Sequence, residues 1–178
     1  MLATPLPEYL DPLRLADKNA ELKGVLPLRL LRRLCDSLAS DVGEAEVVLR
    51  FGRDQGGRPI VEGRVRAKVE RICQRCLEAC EESIDTQLLL GIVGSEAEAE
   101  LLPSEYDPWL VSDRERTSTL IEDELILALP LLALHDKEID CIPQEALSAG
   151  NGSIAETAQK RENPFAALAD LKNRNHQD

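Results

Sequence analysis

Residues 64–76 read R-V-R-A-K-V-E-R-I-C-Q-R-C. The first six alternate strictly. Val65, Ala67 and Val69 share one face of an extended strand, and Arg64, Arg66 and Lys68 share the other. One face can build a core. The other offers cations about 6.7 Å apart, the same-face spacing of a strand. The strand then runs into Cys73-Gln74-Arg75-Cys76, two thiols at a spacing that can clip one metal ion or close a short disulfide loop. Five bases (Arg64, Arg66, Lys68, Arg71, Arg75) meet one acid, Glu70, so the stretch is +4 in a chain of net charge −12, and everything outside it sums to −16. A basic strand in an acidic protein is the first functional clue.

Working outward, residues 44–53 alternate with Ala45, Val47, Leu49 and Phe51 on one face. Asp54-Gln55-Gly56-Gly57-Arg58 has the composition of a tight turn, and residues 60–72 return as the second arm of a hairpin, with Gly63 read as a bulge. Beyond the cysteine pair Ile84, Thr86, Leu88, Leu90 and Ile92 alternate again. The pair therefore caps the turn between two strands, and a three-stranded antiparallel meander is the simplest arrangement. Residues 21–25 suggest a further strand. Residues 94–103 read as an acidic loop, and 106–111, with the only Trp at 109, as a short edge strand.

The helical signals lie on either side of this sheet. Asp11-Pro12 predicts a helix start, Asp as cap and Pro at the first position. Pro27 predicts a second helix through Leu38, with Leu30, Leu31, Leu34 and Leu38 on one side and Cys35 as a packed thiol. Thr119-x-x-Glu122 has the form of a capping box, followed by Ile121, Leu125, Ala128 and Leu129 as a buried stripe and by Pro130 as a stop. The expected fold is α+β: a small antiparallel sheet with helices packed on it and a tethered C-terminal helix. Residues 1–147 are expected to form one domain, 148–162 a flexible polar linker, and 163–178 a short docking helix and tail. That helix opens at Asn163-Pro164 and presents Phe165, Leu168 and Leu171.

Composition excludes several classes. With 3% aromatics the composition argues against a stacking platform for single-stranded nucleic acid, which needs exposed rings. A net charge of −12 opposes broad, unspecific nucleic-acid binding and suits a basic protein partner. The prolines at 5, 7 and 12 interrupt any secretory apolar run, and residues 125–134 form an apolar stretch too short to span a bilayer. A cytoplasmic location with reduced thiols is expected.

Cys73 and Cys76 need two more ligands to close a tetrahedral site. His135 and Cys141 are the candidates, with Cys80 in reserve; zinc could be held there, although the six-residue step from His135 to Cys141 is not a second tight pair. Two reduced thiols in a turn, without cofactor, is the plainer reading, and a redox pair would want a helix N-terminus. The cations have two readings as well: a phosphate-binding face made by Arg64, Arg66, Lys68, Arg71 and Arg75, or a solvated face paired with nearby acids. No phosphate loop or nucleophile elbow is present, so nothing assembles a catalytic site.

Three stretches carry a resemblance: V-E-R-I-C-Q-R-C at 69–76, I-E-D-E-L-I-L-A-L-P-L-L-A-L-H-D at 121–136 with Cys141 beyond, and N-P-F-A-A-L-A-D-L-K at 163–172. With L-D-P-L-R at 10–14, their order and spacing resemble the YceD family of bacteria and plastids, described as large ribosomal RNA subunit accumulation proteins. Some members carry a cysteine-rich segment after the helix, of which this chain keeps His135 and Cys141. The resemblance implies a non-enzymatic ribosome-biogenesis factor that supports synthesis, processing or stability of large-subunit (23S) ribosomal RNA. Expected partners are that RNA or its precursor, a basic ribosomal protein, or both, with no membrane and no small-molecule substrate. The alternatives are an adaptor that binds a basic ribosomal protein without touching RNA, and a thiol- or metal-dependent enzyme built on the cysteine pair.

Overall fold

The computed structural model describes residues 5–137 and Cys141. Its elements run β1 (Tyr9–Leu10), α1 (Pro12–Asp17), β2 (Glu21–Pro27), a 3₁₀ turn (Leu28–Leu30), α2 (Arg32–Cys35), β3 (Glu44–Arg53), β4 (Pro59–Ile72), β5 (Ala79–Val93), α3 (Glu96–Ala99), β6 (Asp107–Leu110), β7 (Glu115–Arg116) and α4 (Thr117–Ala128). The architecture is α+β. Strands β2 to β5 form a consecutive antiparallel meander, β6 adds to β5 in parallel, and β1 pairs with β7 apart from the main sheet.

The alternation in the sequence becomes a register. Val47 stands opposite Val65, Ala45 opposite Ala67, and Ala67 opposite Ile84, so one face of β3, β4 and β5 is a continuous apolar layer. Val47, Leu49, Val61, Val65 and Val69 on that layer are each at most 1% exposed. Leu120, Ile121 and Leu125 of α4 complete the core together with Leu28, Leu31 and Leu34. Each fully buried aliphatic side chain contributes roughly 1.5–3 kcal/mol, so this layer supplies most of the drive to fold. The opposite face carries Arg64, Arg66 and Lys68 into solvent.

Four expectations need correction. The antiparallel meander has four strands rather than three, because the strand read at 21–25 joins it and runs on to Pro27; the edge strand read at 106–111 is β6, which adds to β5 in parallel. Pro27 closes β2 with ψ 134° and does not open a helix. Leu28 donates its N–H to Gly43 O at 3.0 Å, the 3₁₀ turn follows, and Leu31 at φ −99°, ψ 75° interrupts the chain before the single turn of α2. The apolar spacing was real, but it belongs to Leu28, Leu31 and Leu34, which are fully buried, while Leu30 is 54% exposed. Gly63 is no bulge: it pairs regularly with Leu49 and Leu88. A Cβ there would lie 2.7 Å from Leu49 Cδ2 and 3.1 Å from Leu88 Cγ, so glycine lets both leucines close over the strand.

The fourth correction concerns the capping box. α4 starts at Thr117, not after Thr119, because Thr117 is tied to the N-terminal segment: its N–H reaches Glu8 O and its hydroxyl donates to Pro7 O. Glu122 turns away from its own helix. Its Oε1 accepts Arg33 N–H at 2.6 Å and Leu34 N–H at 3.3 Å, and its Oε2 accepts Arg33 Nε at 2.8 Å. A carboxylate from α4 thus caps α2, satisfying amides that α2 cannot pair internally. Elsewhere, Asp11 caps α1 by accepting Arg14 N–H at 3.1 Å, as Asp11-Pro12 implied. The acidic stretch 94–103 holds α3, capped by Ser95. The boundary at 147, the linker 148–162 and the helix over 163–178 lie outside the described residues.

Glu122→Ala should therefore lower stability by about 2–3 kcal/mol, since it strands one part-buried and one buried amide and removes a charge-assisted bond. Thr119→Ala should stay within about 0.5 kcal/mol. Urea unfolding with an unchanged m-value measures both, and the order reverses if the sequence-level capping box is the operative cap.

Candidate metal centre

β4 and β5 are joined by residues 73–78, and the backbone of this loop is closed at two levels. Cys73 N–H donates to Glu78 O at 2.8 Å, and Leu77 N–H returns to Cys73 O at 2.9 Å. Leu77 makes that return at φ 63°, in the left-handed region that side chains seldom adopt. The loop is thus a tight knuckle with both cysteines on one side.

A second arm is stitched against it. After α4, Pro130 O accepts Arg71 Nη1 at 2.8 Å, Ala133 O accepts Gln74 N–H at 2.9 Å, and His135 Nε2 lies 3.1 Å from Ala79 O. A carbonyl only accepts, so the proton sits on Nε2 and the Nδ1 lone pair is left free. Nδ1 faces the thiols, 3.5 Å from Cys76 Sγ and 3.3 Å from Cys141 Sγ; Cys73 Sγ and Cys141 Sγ are 3.7 Å apart.

The four donor atoms of Cys73, Cys76, His135 and Cys141 all lie within 4.8 Å of one another. Zinc bonds of about 2.3 Å to sulfur and about 2.0–2.1 Å to nitrogen give tetrahedral edges of about 3.8 Å between sulfurs and about 3.5 Å between sulfur and nitrogen. The separations of 3.3, 3.5 and 3.7 Å are close to those edges, and all the cysteines of the described residues are free thiols rather than disulfides, whose sulfurs sit about 2.05 Å apart. The residues present fit a tetrahedral ion.

Electrostatics favours the same arrangement. Burial pushes the Cys73 thiol up, but the N–H groups of Cys76, Arg75 and His135 and the His135 ring outweigh it and bring Cys73 down to about 5. Burial and the neighbouring Cys73 and Cys76 sulfurs push Cys141 up. One thiolate is therefore stabilised by amides, and a second beside it is opposed. A divalent cation removes that opposition. Cys80 is buried in the same cluster, but its thiol points to Arg71 O at 3.5 Å, outside the four-donor set. Cys35 packs near Leu28, donating to its carbonyl at 3.2 Å.

The five cations separate. Arg64 grips Asp85 with two bonds of 2.6 Å, Arg66 reaches the same carboxylate at 3.2 Å, and Lys68 meets Glu81 at 3.1 Å. Arg71 lies on the other face, between Glu82 at 2.9 Å and Pro130 O. Arg75 sits in the knuckle, its Nη1 3.7 Å from Cys141 Sγ. Sequence reasoning missed Asp85, Glu81 and Glu82 as partners and Ala79 and Ala133 as supports. The acids were signalled by β5 alternation, but their pairing depends on register.

The chain is thus an α+β protein with a Cys₃His donor set at the tip of its longest hairpin. The family model for "Large ribosomal RNA subunit accumulation protein YceD" matches residues 61–172. A Haemophilus influenzae protein named "Large ribosomal RNA subunit accumulation protein YceD" is 31% identical over 175 residues, covering 97% of this chain and 99% of the relative. The chain belongs to the YceD family. No solved structure matches it.

The Arg64 fork, first among its causes, holds the Asp85 carboxyl below its ordinary range. A depressed carboxylate contributes stability that is complete above the ordinary aspartate range and is lost as pH falls through the lowered value. Titration of the Asp85 carboxyl carbon by NMR should show this depressed midpoint, and Arg64→Gln should raise it.

Proposed function

We propose that the chain is a non-enzymatic, cytoplasmic factor that supports the synthesis, processing or stability of 23S ribosomal RNA and acts by binding. Family membership over nearly the whole chain carries this reading. The donor set supports the absence of catalysis: all four positions of a tetrahedral ion would be filled by Cys73, Cys76, His135 and Cys141, which is the arrangement of structural sites, whereas catalytic zinc keeps one position open. A bound zinc ion would supply cohesion, fixing the knuckle to the segment that follows α4.

The sheet-face cations Arg64, Arg66 and Lys68, with Arg71 and Arg75 beyond them, are the RNA contacts proposed from sequence. Four of the five meet carboxylates of β5, so phosphate must compete with Asp85, Glu81 and Glu82 there. That pairing favours a second reading for this face, in which the acidic protein docks a basic ribosomal protein.

Full-length protein purified with zinc should contain one ion per chain. Cys141→Ser should lose it, and chelation should lower the melting temperature of the wild type but not of the variant. Zinc absent from folded wild-type protein overturns the metal assignment. In cells, loss of the gene should lower the 23S-to-16S ratio, and restoring the wild-type chain should recover it. An unaltered ratio counts against the ribosomal role.

A further inference from the structure

The cations of the sheet face are already held by carboxylates. Another group is not. Arg14 on α1, Lys18 at its C-terminal end and Arg116 on β7 make no ion pair among the described residues. Arg14 and Lys18 line a groove of about 400 Å³ with Tyr9, Asp11, Leu15 and Leu22. Arg116 stands opposite Tyr9 in the β1–β7 pair, and its guanidinium lies 5.4 Å from the centre of the Tyr9 ring. Tyr9 is 44% exposed, so the ring is open to a ligand.

Four carboxylates near this groove bond to groups other than these three cationic side chains. Asp11 accepts the Arg14 backbone N–H at 3.1 Å. Asp17 holds Arg53 at 2.7 Å, Glu21 holds Arg50 at 2.9 Å, and Glu115 takes Ser112 N–H at 2.8 Å. Two cations without ion pairs therefore line the concavity of an acidic protein, and a third lies over the exposed ring at its edge. Phosphate is recognised by such donors without first displacing a carboxylate, and a single exposed ring can stack one base. It is far short of a stacking platform, in keeping with the chain's few aromatics. An aromatic wall requires an unstacked base, which selects single strand over duplex.

We infer that this groove binds single-stranded RNA, with phosphates on Arg14, Lys18 and Arg116 and a base against Tyr9. The inference rests on the RNA-contact form of the proposed function. It names α1 and the β1–β7 pair as the contact surface in place of the sheet face.

The test is fluorescence anisotropy of a fluorescein-labelled oligouridylate, titrated with the full chain at several salt concentrations, with thermal melting of each variant as a control of folding. Arg14→Gln with Lys18→Gln should make the slope of log affinity against log salt shallower by roughly 1.4, about 0.7 for each lost phosphate contact. Arg14→Lys with Lys18→Arg should restore most of it. Tyr9→Leu should weaken binding about ten-fold, within the range for one stacked base, and leave the slope unchanged. A wild type that binds, with a slope indifferent to the groove variants, overturns the groove alone. A folded wild type that binds no oligouridylate at any salt overturns RNA contact itself, and with it the groove.

Discussion

The pairing of β4 with β5 is the constraint on which the rest depends. Residues from Ile60 to Ile72 stand opposite residues from Gly91 to Ala79 in unbroken antiparallel register. Strand side chains alternate, so a slip of one residue would move every one of them to the other face. This register puts Val65, Ala67 and Val69 into the core. It sets Asp85 against Arg64 and Arg66, and it delivers Cys73 and Cys76 to the end of the hairpin. Core, charge pairing and donor set are three results of one alignment.

The donor set shows how a local motif becomes a site through distant contacts. Cys73 and Cys141 are 68 residues apart in sequence. Ordering so long a loop carries an entropic cost that grows only slowly with length, but nothing offsets it until contacts form. The bonds from Arg71 to Pro130, from Gln74 to Ala133 and between His135 and Ala79 draw the second arm along the knuckle. They also fix the ring tautomer before any ion is involved. The left-handed Leu77, 72% exposed, persists because the paired bonds around it leave the chain no other path.

Much of this was legible where the signal is local. β3 spans Glu44–Arg53, as its alternation indicates, and α1 begins where Asp11-Pro12 places it. The four candidate ligands could be named from residue type, but the six-residue step from His135 to Cys141 says nothing of geometry, which the backbone bonds of the second arm supply. Glu122 was misread because its pattern is locally perfect. Thr-x-x-Glu is present, yet Thr117 is anchored by Pro7 and Glu8, the helix starts early, and the carboxylate is released to meet Arg33, 89 residues away. The basic face was read correctly as a face and incompletely as an electrostatic object, since its partners lie on a strand whose register alternation alone does not fix.

That distinction decides how an acidic chain can address an anionic polymer. Net charge governs the approach at long range, and at −12 it repels phosphate. At physiological salt, however, the Debye length is about 8 Å, so within a groove the nearest charges dominate. A cation bonded to a carboxylate 2.6 Å away, as Arg64 is, presents little net field at that range. Arg14 and Lys18 keep theirs. The same acidity that opposes indiscriminate binding therefore leaves short-range contact with an anion to the few cations without ion-pair partners among the described residues, and it makes their position, rather than the total of basic residues, the determinant of where a phosphate could be held.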